Sequence, residues 1–508
     1  MSTGLWVLVV IGGLLLLLTI YDLLQTKHAI LRNFPIIGHF RYLFEAVGPE
    51  LRQYIVTNND EERPFSRDQR SWVYASSKGQ NNYFGFGTDN DLEHSPNYLV
   101  IKHSAFPKSL ERGDPMHPLP CAKVLGGARA RRHAFRPRSV INTSAMSFGS
   151  LSKAAVEAIN RGCAKAGALH NTGEGGIAPY HLHGGELIFQ LGTGYFGART
   201  IDGRFDLEML KDKCAQHPVK AIEIKLSQGA KPGKGGILPA SKCTPEIARI
   251  RGVERGKAVI SPAAHTAFGS MDELLDFVEG IAEATGLPVG IKSAVGNESS
   301  WVELAQLMAT TSRGVDYIQI DGGEGGTGAA PLVFADHVAL PFKLGFTRVR
   351  AIFERAGIAD RVVWIGSGRV GFPAEALFAF GLGCDMVAVA REVMLSVGCI
   401  QAQRCHTDHC PTGVATHNRW LVRGLDPLSK GDRVAGYLAT FRHELLALTH
   451  ACGYDHPCEV GLDDFEIVDG CFSSRCPRDI FGYEEGWGRP PVAIREAAAA
   501  LMRAGGAA

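Results

Sequence analysis

Three cysteines lie between positions 399 and 410 in the pattern Cys399-x5-Cys405-x4-Cys410, followed by Pro411-Thr412-Gly413-Val414-Ala415-Thr416. Loops of this length can each turn a sulfur inward without a large loss of chain entropy. Thiolates are soft ligands, so the centre they suit is an iron–sulfur cluster or zinc, and magnesium and calcium are excluded. Cys410-Pro411 matches the cysteine–proline ends of ferredoxin cluster runs. From spacing alone three interpretations stand: a cluster with one corner missing, zinc with a fourth ligand from elsewhere, or three buried thiols. A second group, Cys452, Cys458, Cys471 and Cys476, has His450 and His456 nearby and a proline after its last cysteine. It is either an additional metal site or a set of reduced thiols packed in a C-terminal cap. Cys121, Cys163, Cys214, Cys243 and Cys384 stand apart and read as buried or incidental.

Other residues capable of chemistry sit directly after short apolar runs. Ser144, Ala145, Met146 and Ser147 follow one; Asn171-Thr172-Gly173-Glu174-Gly175-Gly176 follow a second. Lys225 ends a third, which opens into Gln228-Gly229-Ala230-Lys231-Pro232-Gly233-Lys234. Lys292 ends another, and Asp321-Gly322-Gly323-Glu324-Gly325-Gly326-Thr327-Gly328 follow the next. Gly366, Gly368 and Gly371 would let backbone N–H groups approach a phosphate, with Arg369 adding a charged donor, unless the segment is an ordinary turn. Lys292 suits negative charge developing on a planar ring, as reduced flavin requires, or else a salt bridge at a barrel rim. Glu174 is a candidate general acid or an electrostatic partner for an amine or imine. Lys231 and Lys234 can receive a substrate carboxylate or stand solvated. The glycine-dense loops suggest close approach of a flat cofactor, because each glycine adds ordering cost.

Eight apolar runs position these groups: 140–143, 168–171, 221–225, 258–261, 289–292, 317–321, 362–366 and 386–390. Helical patterns at 271–285, 301–313 and 373–382 separate some of them. Eight strand–helix units close a (β/α)8 TIM barrel, whose catalytic groups project from the C-terminal strand ends. Ala390 and Arg391, just past the eighth run, fall at such an end. A doubly wound sheet is the alternative, weakened because no Gly-x-Gly-x-x-Gly follows the first run. Cys399 lies eight positions beyond Arg391, so a centre held there would sit beside the barrel mouth. That adjacency favours a redox cluster over zinc, which has no redox role of its own.

A chain of 508 residues, 45% of them hydrophobic, is long enough for one large barrel with additions. Its 53 basic and 52 acidic residues give no electrostatic reason to expect nucleic acid. Twelve cysteines are too sparse for a disulfide scaffold and suit a reducing compartment. Residues 5–20 carry no charge, which reads as a single transmembrane helix. A signal peptide or a buried helix is the alternative. Lys27, His28 and Arg32 follow the run, placing the catalytic bulk in the cytoplasm. The expected layout is an anchor over 1–26, an extension over 27–138, the barrel over 139–398, a cysteine segment over 399–454 and a small cysteine-bearing cap and tail over 455–508. Within the extension, 61–67 reads as exposed linker or elbow and 83–88 as a turn packed on a larger body. The alanine-rich 497–508 reads as a frayed helix or tail.

Taken together, Ser144–Ser150, Asn171–Gly176, Lys225–Gly233, Asp321–Gly328 and the cysteine run through Thr416 resemble the central FMN-binding and iron–sulfur portion of glutamate synthase. The resemblance spans roughly 138–454 and is closest to the stand-alone, glutamate-synthase-related FMN proteins. It implies FMN on the barrel and a 3Fe–4S cluster on Cys399, Cys405 and Cys410. It implies reduction of an imine, formed from 2-oxoglutarate or a related 2-oxo acid and ammonia, to the amino acid. Glu174, Gln228 and Lys231 fall in the family's substrate-side motifs, and Lys292 where it has a lysine near the flavin. Ser144 to Ser147, Lys225, Gln228, Asp321, Gly322, Gly323, Gly326, Thr327, Gly328, Gly366, Gly368, Arg369, Ala390 and Arg391 are the remaining expected cofactor contacts.

The sequence also departs from that family. No cysteine precedes Cys121, so the family's glutaminase nucleophile is not expected, and only about fifty residues follow Tyr454, too few for its β-helical domain. Glu324 stands in a loop that does not duplicate the family's His-Asp-Gly-Gly. A different amine or amino acid is therefore a competing substrate. An electron-transfer subunit of a membrane complex and a cofactorless scaffold are the competing classes. No NAD(P)H fingerprint is present, which calls for a separate electron donor such as ferredoxin or a reductase. The sequence is also compatible with a homo-oligomer.

Overall fold

The computed structural model describes residues 2–25, 28–58, 60–109, 114 and 116–505. They form two compact units, Met1–Ser71 and Trp72–Ala508.

In the first unit the uncharged run lies within the helix Thr3–Leu24, long and apolar enough by length and composition to cross a membrane. Lys27, one of the basic residues behind the expected orientation, lies outside the described residues. A helix Gly38–Leu51 continues into a π-helical turn, Arg52–Val56. Of the two readings for 61–67, exposed linker or elbow, the exposed linker does not hold. Glu62 and Phe65 are buried, and Glu62 pairs with Arg70, so opposite charges neutralise each other out of solvent.

In the second unit eight parallel strands close a barrel in sequential order. They are β1 Ile141–Thr143, β2 His170–Asn171, β3 Leu187–Leu191, β4 Val219–Lys225, β5 Val289–Ser293, β6 Tyr317–Asp321, β7 Val363–Ser367 and β8 Met386–Val389. Closure runs through Val389 opposite Thr143. Strands covered on both faces read as continuous apolar runs rather than alternating ones.

The expected count of eight was right, but its membership was not. Leu187–Leu191 is the third strand and was absent from the expected set. The run at 258–261 is a strand outside the barrel: Val259–Ile260 pairs antiparallel with Ile237–Leu238 in a ribbon between β4 and β5. Ile260 there is 73% exposed, so its β-branched side chain signals extended backbone without barrel burial.

The helices follow their caps. Met271–Thr285 starts at Ser270, whose side chain accepts from Glu273 N, and stops at left-handed Gly286. Pro373–Leu382 begins with proline, whose missing N–H costs nothing in a first turn. Ser299–Thr310 ends three residues short of the expected 313. The long helix Pro427–Ala451 lies against Lys153–Ala166, and Gly162 lets them meet, because a Cβ there would overlap Val434 and come within 2.9 Å of Gly431 O.

Residues before β1 help build the core. Cys121 and Leu125 pack with Leu169, Ile188, Ala221, Tyr317, Ile365 and Met386. Lys123 pairs with buried Asp385 at 3.1 Å. Tyr98–Ile101 pairs antiparallel with Phe465–Val468, so segments on either side of the barrel in sequence share one sheet. The turn at 83–88 is not packed as expected: Tyr83, Phe84 and Phe86 are exposed. Of the two readings for the terminal alanines, helix or tail, the described residues show the helix: Val492–Gly505 is helical and Ala498 packs with Ala122 and Cys458, while residues 506–508 lie outside the described set.

Candidate active site

Strand register assembles the site. Lys225 at the end of β4 stands opposite Lys292 of β5, and Asp321 at the end of β6 opposite Ser367 of β7. Asp321 is fixed by Ser367 Oγ at 3.0 Å and Gly229 N at 2.9 Å, with Lys292 Nζ 3.9 Å away. Around them opens a cleft. Of the expected cofactor contacts, Ser144, Ala145, Gln228, Lys292, Asp321, Gly326, Gly368, Arg369, Ala390 and Arg391 line it. Val370 and Glu392 line it too and escaped the sequence reading, as did Ser367 as a contact.

The cleft's chemistry suits an anionic, flat group. Gly368 has φ 141° and Arg369 φ 54°, a left-handed conformation that a non-glycine residue adopts at some cost. Arg391 donates to Glu324 O at 2.6 Å, and burial lowers its pKa without removing its charge. Two guanidinium groups and a glycine turn thus share the lining with Lys292, a donor set that fits a flavin phosphate and ring.

Other expected contacts lie elsewhere. Gly366 is packed rather than ligand-facing, since a Cβ there would come within 2.8 Å of Phe342 and 2.9 Å of the Cys384 sulfur. Gly322 N and Gly323 N are engaged by Ser367 O and Leu340 O. Thr327 turns back to Ala329 O, and Gly328 lies beside Ser150. Met146 is buried outside the lining, and Ser147 points to Ser150 and Arg251. A Cβ at Gly229 would overlap Gly322 O, so here the close approach belongs to two loops, not to a cofactor. Glu324 accepts from Phe342 N at 2.8 Å and caps the helix Phe342–Arg355.

Next to the cleft lies a charge cluster. Lys225 Nζ is 2.7 Å from Glu174 Oε1 and 3.1 Å from Gln228 Oε1, and Gln228 donates to Gly326 O at 2.8 Å. Gln228 thereby touches both the cleft lining and the ion pair. Glu174 is seated against Gly192 and Gly236, where any side chain would strike its carboxylate. Burial alone would raise its pKa, but Lys225, with Lys231 and Lys292 behind, takes it down to about 2. It is therefore ionised at neutral pH, which favours the electrostatic role over the general acid. Lys231 donates to Ala329 O at 3.3 Å; burial and its neighbours Lys225 and Lys292 push it down to about 8, against the pull of Glu174. Lys234 instead lies over the Phe334 ring.

Several groups here carried no sequence signal. Arg251, at the end of a short helix, donates to Phe148 O at 3.1 Å, and its Nε has no partner among the described residues. His265 bridges Lys225 O at 2.9 Å and Tyr195 Oη at 3.1 Å. Glu223, inside the barrel, accepts from Asn171 and Gln190, and burial raises its pKa.

The cysteine loop is tied to the β1 end. Lys242 Nζ donates to Ala415 O at 2.8 Å and Ser150 O at 3.1 Å, and His417 Nε2 lies 2.9 Å from Gly149 O. Burial raises the Cys405 thiol pKa, and neighbouring Cys410 adds to it. Cys399 receives Gln401 N on its sulfur and Tyr74 Oη on its carbonyl. Among the described residues no three of His, Cys, Asp or Glu gather as a metal site. The thiols have the right chemistry for a cluster, but the ligand set is not assembled. In the second cysteine group Cys458 packs with Ala122 and Ala498, the Cys476 sulfur lies 3.7 Å from Leu462 O, and Cys471 is exposed.

A closed barrel with convergent charged groups at its C-terminal strand ends defines an enzyme-type scaffold. A model of the conserved region in glutamate synthase matches residues 125–455. The chain belongs to the glutamate synthase family. It is 37% identical over 472 residues to the glutamate synthase large subunit-like protein YerD of Bacillus subtilis, covering 86% of this chain and 89% of that one. It is 35% identical over 314 residues to archaeal glutamate synthase (NADPH) of Methanocaldococcus jannaschii, covering 61% of this chain and 58% of the relative. Against the glutamate synthase (NADPH) large chain of Bacillus subtilis identity is 31% over 326 residues, and the match spans 20% of that chain. Among solved structures, a flavocytochrome b2 mutant with benzoylformate aligns at a TM-score of 0.44 and 13% identity, covering 83% of this chain and 91% of that one.

Proposed function

We propose that the protein is an FMN-dependent oxidoreductase of the glutamate synthase type, acting on a 2-imino acid formed from 2-oxoglutarate or a related 2-oxo acid and ammonia. The observation that carries this is Gln228, which joins the cleft lining to the Glu174–Lys225 pair and so sets an anion-receiving cluster beside a cleft lined by Lys292, Arg369 and Arg391. Arg369, Arg391 and the backbone around Gly368 would hold the FMN phosphate, and Lys292 would face its ring. Bound FMN supplies the hydride equivalent. Protonated Lys231 receives a substrate carboxylate, and ionised Glu174 favours the cationic, protonated imine over the neutral ketone. Membership of the family supports the substrate class.

In this reading Cys399, Cys405 and Cys410 ligate a 3Fe–4S cluster, and the Lys242 and His417 tethers favour its lying beside the β1 loop. Electrons come from a separate donor, ferredoxin or a reductase, and Thr3–Leu24 anchors the enzyme in a membrane with the barrel in the cytoplasm. Anaerobic purification, flavin and iron analysis, and turnover of 2-oxoglutarate plus ammonia with a reduced artificial donor test the proposal. FMN at one per chain with glutamate formed supports it. Protein free of flavin, or flavin-loaded protein inert toward every 2-oxo acid tried with ammonia, overturns it.

A further inference from the structure

Outside the barrel, a stripe of exposed apolar side chains in the first unit is left unexplained. Ile37, Phe40, Phe44, Val47 and Leu51 follow one another at spacings of three and four along the helix Gly38–Leu51, with Leu43 beside them and Ile55 continuing the stripe into the following turn. These positions share one helical face. All are exposed, Ile37 at 71%, Phe40 at 56%, Phe44 at 64% and Ile55 at 71%. Arg41 and Glu45, ion-paired at 2.6 Å, run along one flank of the stripe, and His39 lies on the other flank.

The helix is held at a fixed elbow to Thr3–Leu24. The Asp22 carboxylate accepts from Ile36 N at 3.0 Å and meets His39 Nε2 at 2.9 Å. Gly38 lies so close to Leu31 that an added Cβ would stand 3.0 Å from its side chain. His39 lies to one side of the stripe, and the apolar side chains along it stay exposed. Thr3–Leu24 rises about 33 Å at 1.5 Å per residue, against a hydrocarbon core of about 30 Å. Asp22 then falls where the helix leaves the core, and the elbow starts the second helix at the depth of the lipid headgroups.

We propose that Gly38–Leu51 lies in the plane of the membrane interface, with Phe40, Phe44, Val47 and Leu51 seated in lipid and Arg41 and Glu45 in water. The occupant is a lipid surface because the stripe is continuous, through the elbow, with a helix exposed around its whole apolar circumference. Aromatic and leucine residues on one face with charges on the other are the pattern of helices that lie on bilayers. The inference rests on Thr3–Leu24 spanning the bilayer.

The test uses the full-length protein in phosphatidylcholine–phosphatidylglycerol vesicles containing a phospholipid with a photoreactive diazirine near the headgroup, followed by mapping of labelled peptides. Adducts are expected on 37–55 as well as on 3–24. The double variant Phe44→Glu, Val47→Glu should lose the adducts on 37–55 and keep those on 3–24. Labelling of 3–24 with none on 37–55 overturns the inference and leaves the anchor standing, whereas absence of label from both overturns the anchor as well. Protection of 37–55 by cross-links to a second copy, or to residues beyond Trp72, also overturns it.

Discussion

The barrel mouth and the cysteine loop carry comparable chemical potential, yet they are put together in different ways. At the mouth, strand register places Lys225 beside Lys292 and Asp321 beside Ser367, and each side chain already has a partner of opposite character. In the loop, backbone and tether contacts hold the segment that carries Cys399, Cys405 and Cys410, and among the described residues no three metal-ligating side chains gather. A sheet fixes its functional groups as a consequence of folding, whereas a ligating loop depends on its centre to draw it closed.

The sharpest way to break this contrast is Lys225→Met. It strands ionised Glu174 in a site where the pair's side chains are 8% and 16% exposed, and breaking such a pair should cost about 3–5 kcal/mol in urea denaturation. If Glu174→Gln in the same chain does not recover most of that loss, the pair is not what organises the mouth. Lys231→Met should raise KM for the 2-oxo acid about tenfold to a hundredfold, the range of a charged hydrogen bond, with little change in stability. Because Lys231 binds a carboxylate only when protonated, wild-type affinity should weaken as pH rises through about 8, and the variant should lose that limb.

How much of this was legible in sequence depended on the connections. Lys225, Lys292 and Asp321 end continuous apolar runs and were readable as strand-end chemistry. Leu187–Leu191 was not, because β2 and β3 are joined by a coil and the single 3-10 turn Pro179–His181 instead of a helix. Strand–helix alternation therefore has nothing to count there. Val259–Ile260 is extended but unburied, and a run of that length cannot distinguish barrel from ribbon. Arg251 and His265 reach the site from helix and loop through tertiary packing alone, with no local pattern to mark them.

Smaller perturbations sharpen the comparison. Gly162→Ala forces apart Lys153–Ala166 and Pro427–Ala451 and should destabilise by about 1–3 kcal/mol without altering substrate affinity. Lys242→Met leaves Ala415 O and Ser150 O without their donor and should cost about 1 kcal/mol. Its signature is faster amide exchange confined to 399–417, while β4 to β7 stay protected. Equal loosening of both regions would erase the distinction.

The most direct measurement is a titration of the purified holoprotein with 2-oxoglutarate, followed by its flavin absorbance. A cleft lined by Lys292, Arg369 and Arg391 and joined through Gln228 to the Lys225, Lys231 and Glu174 cluster predicts stoichiometric FMN whose spectrum shifts on adding the acid, with the shift abolished in Lys231→Met. A chain that holds no flavin, or a bound flavin whose spectrum responds neither to 2-oxoglutarate nor to any other 2-oxo acid, would contradict it.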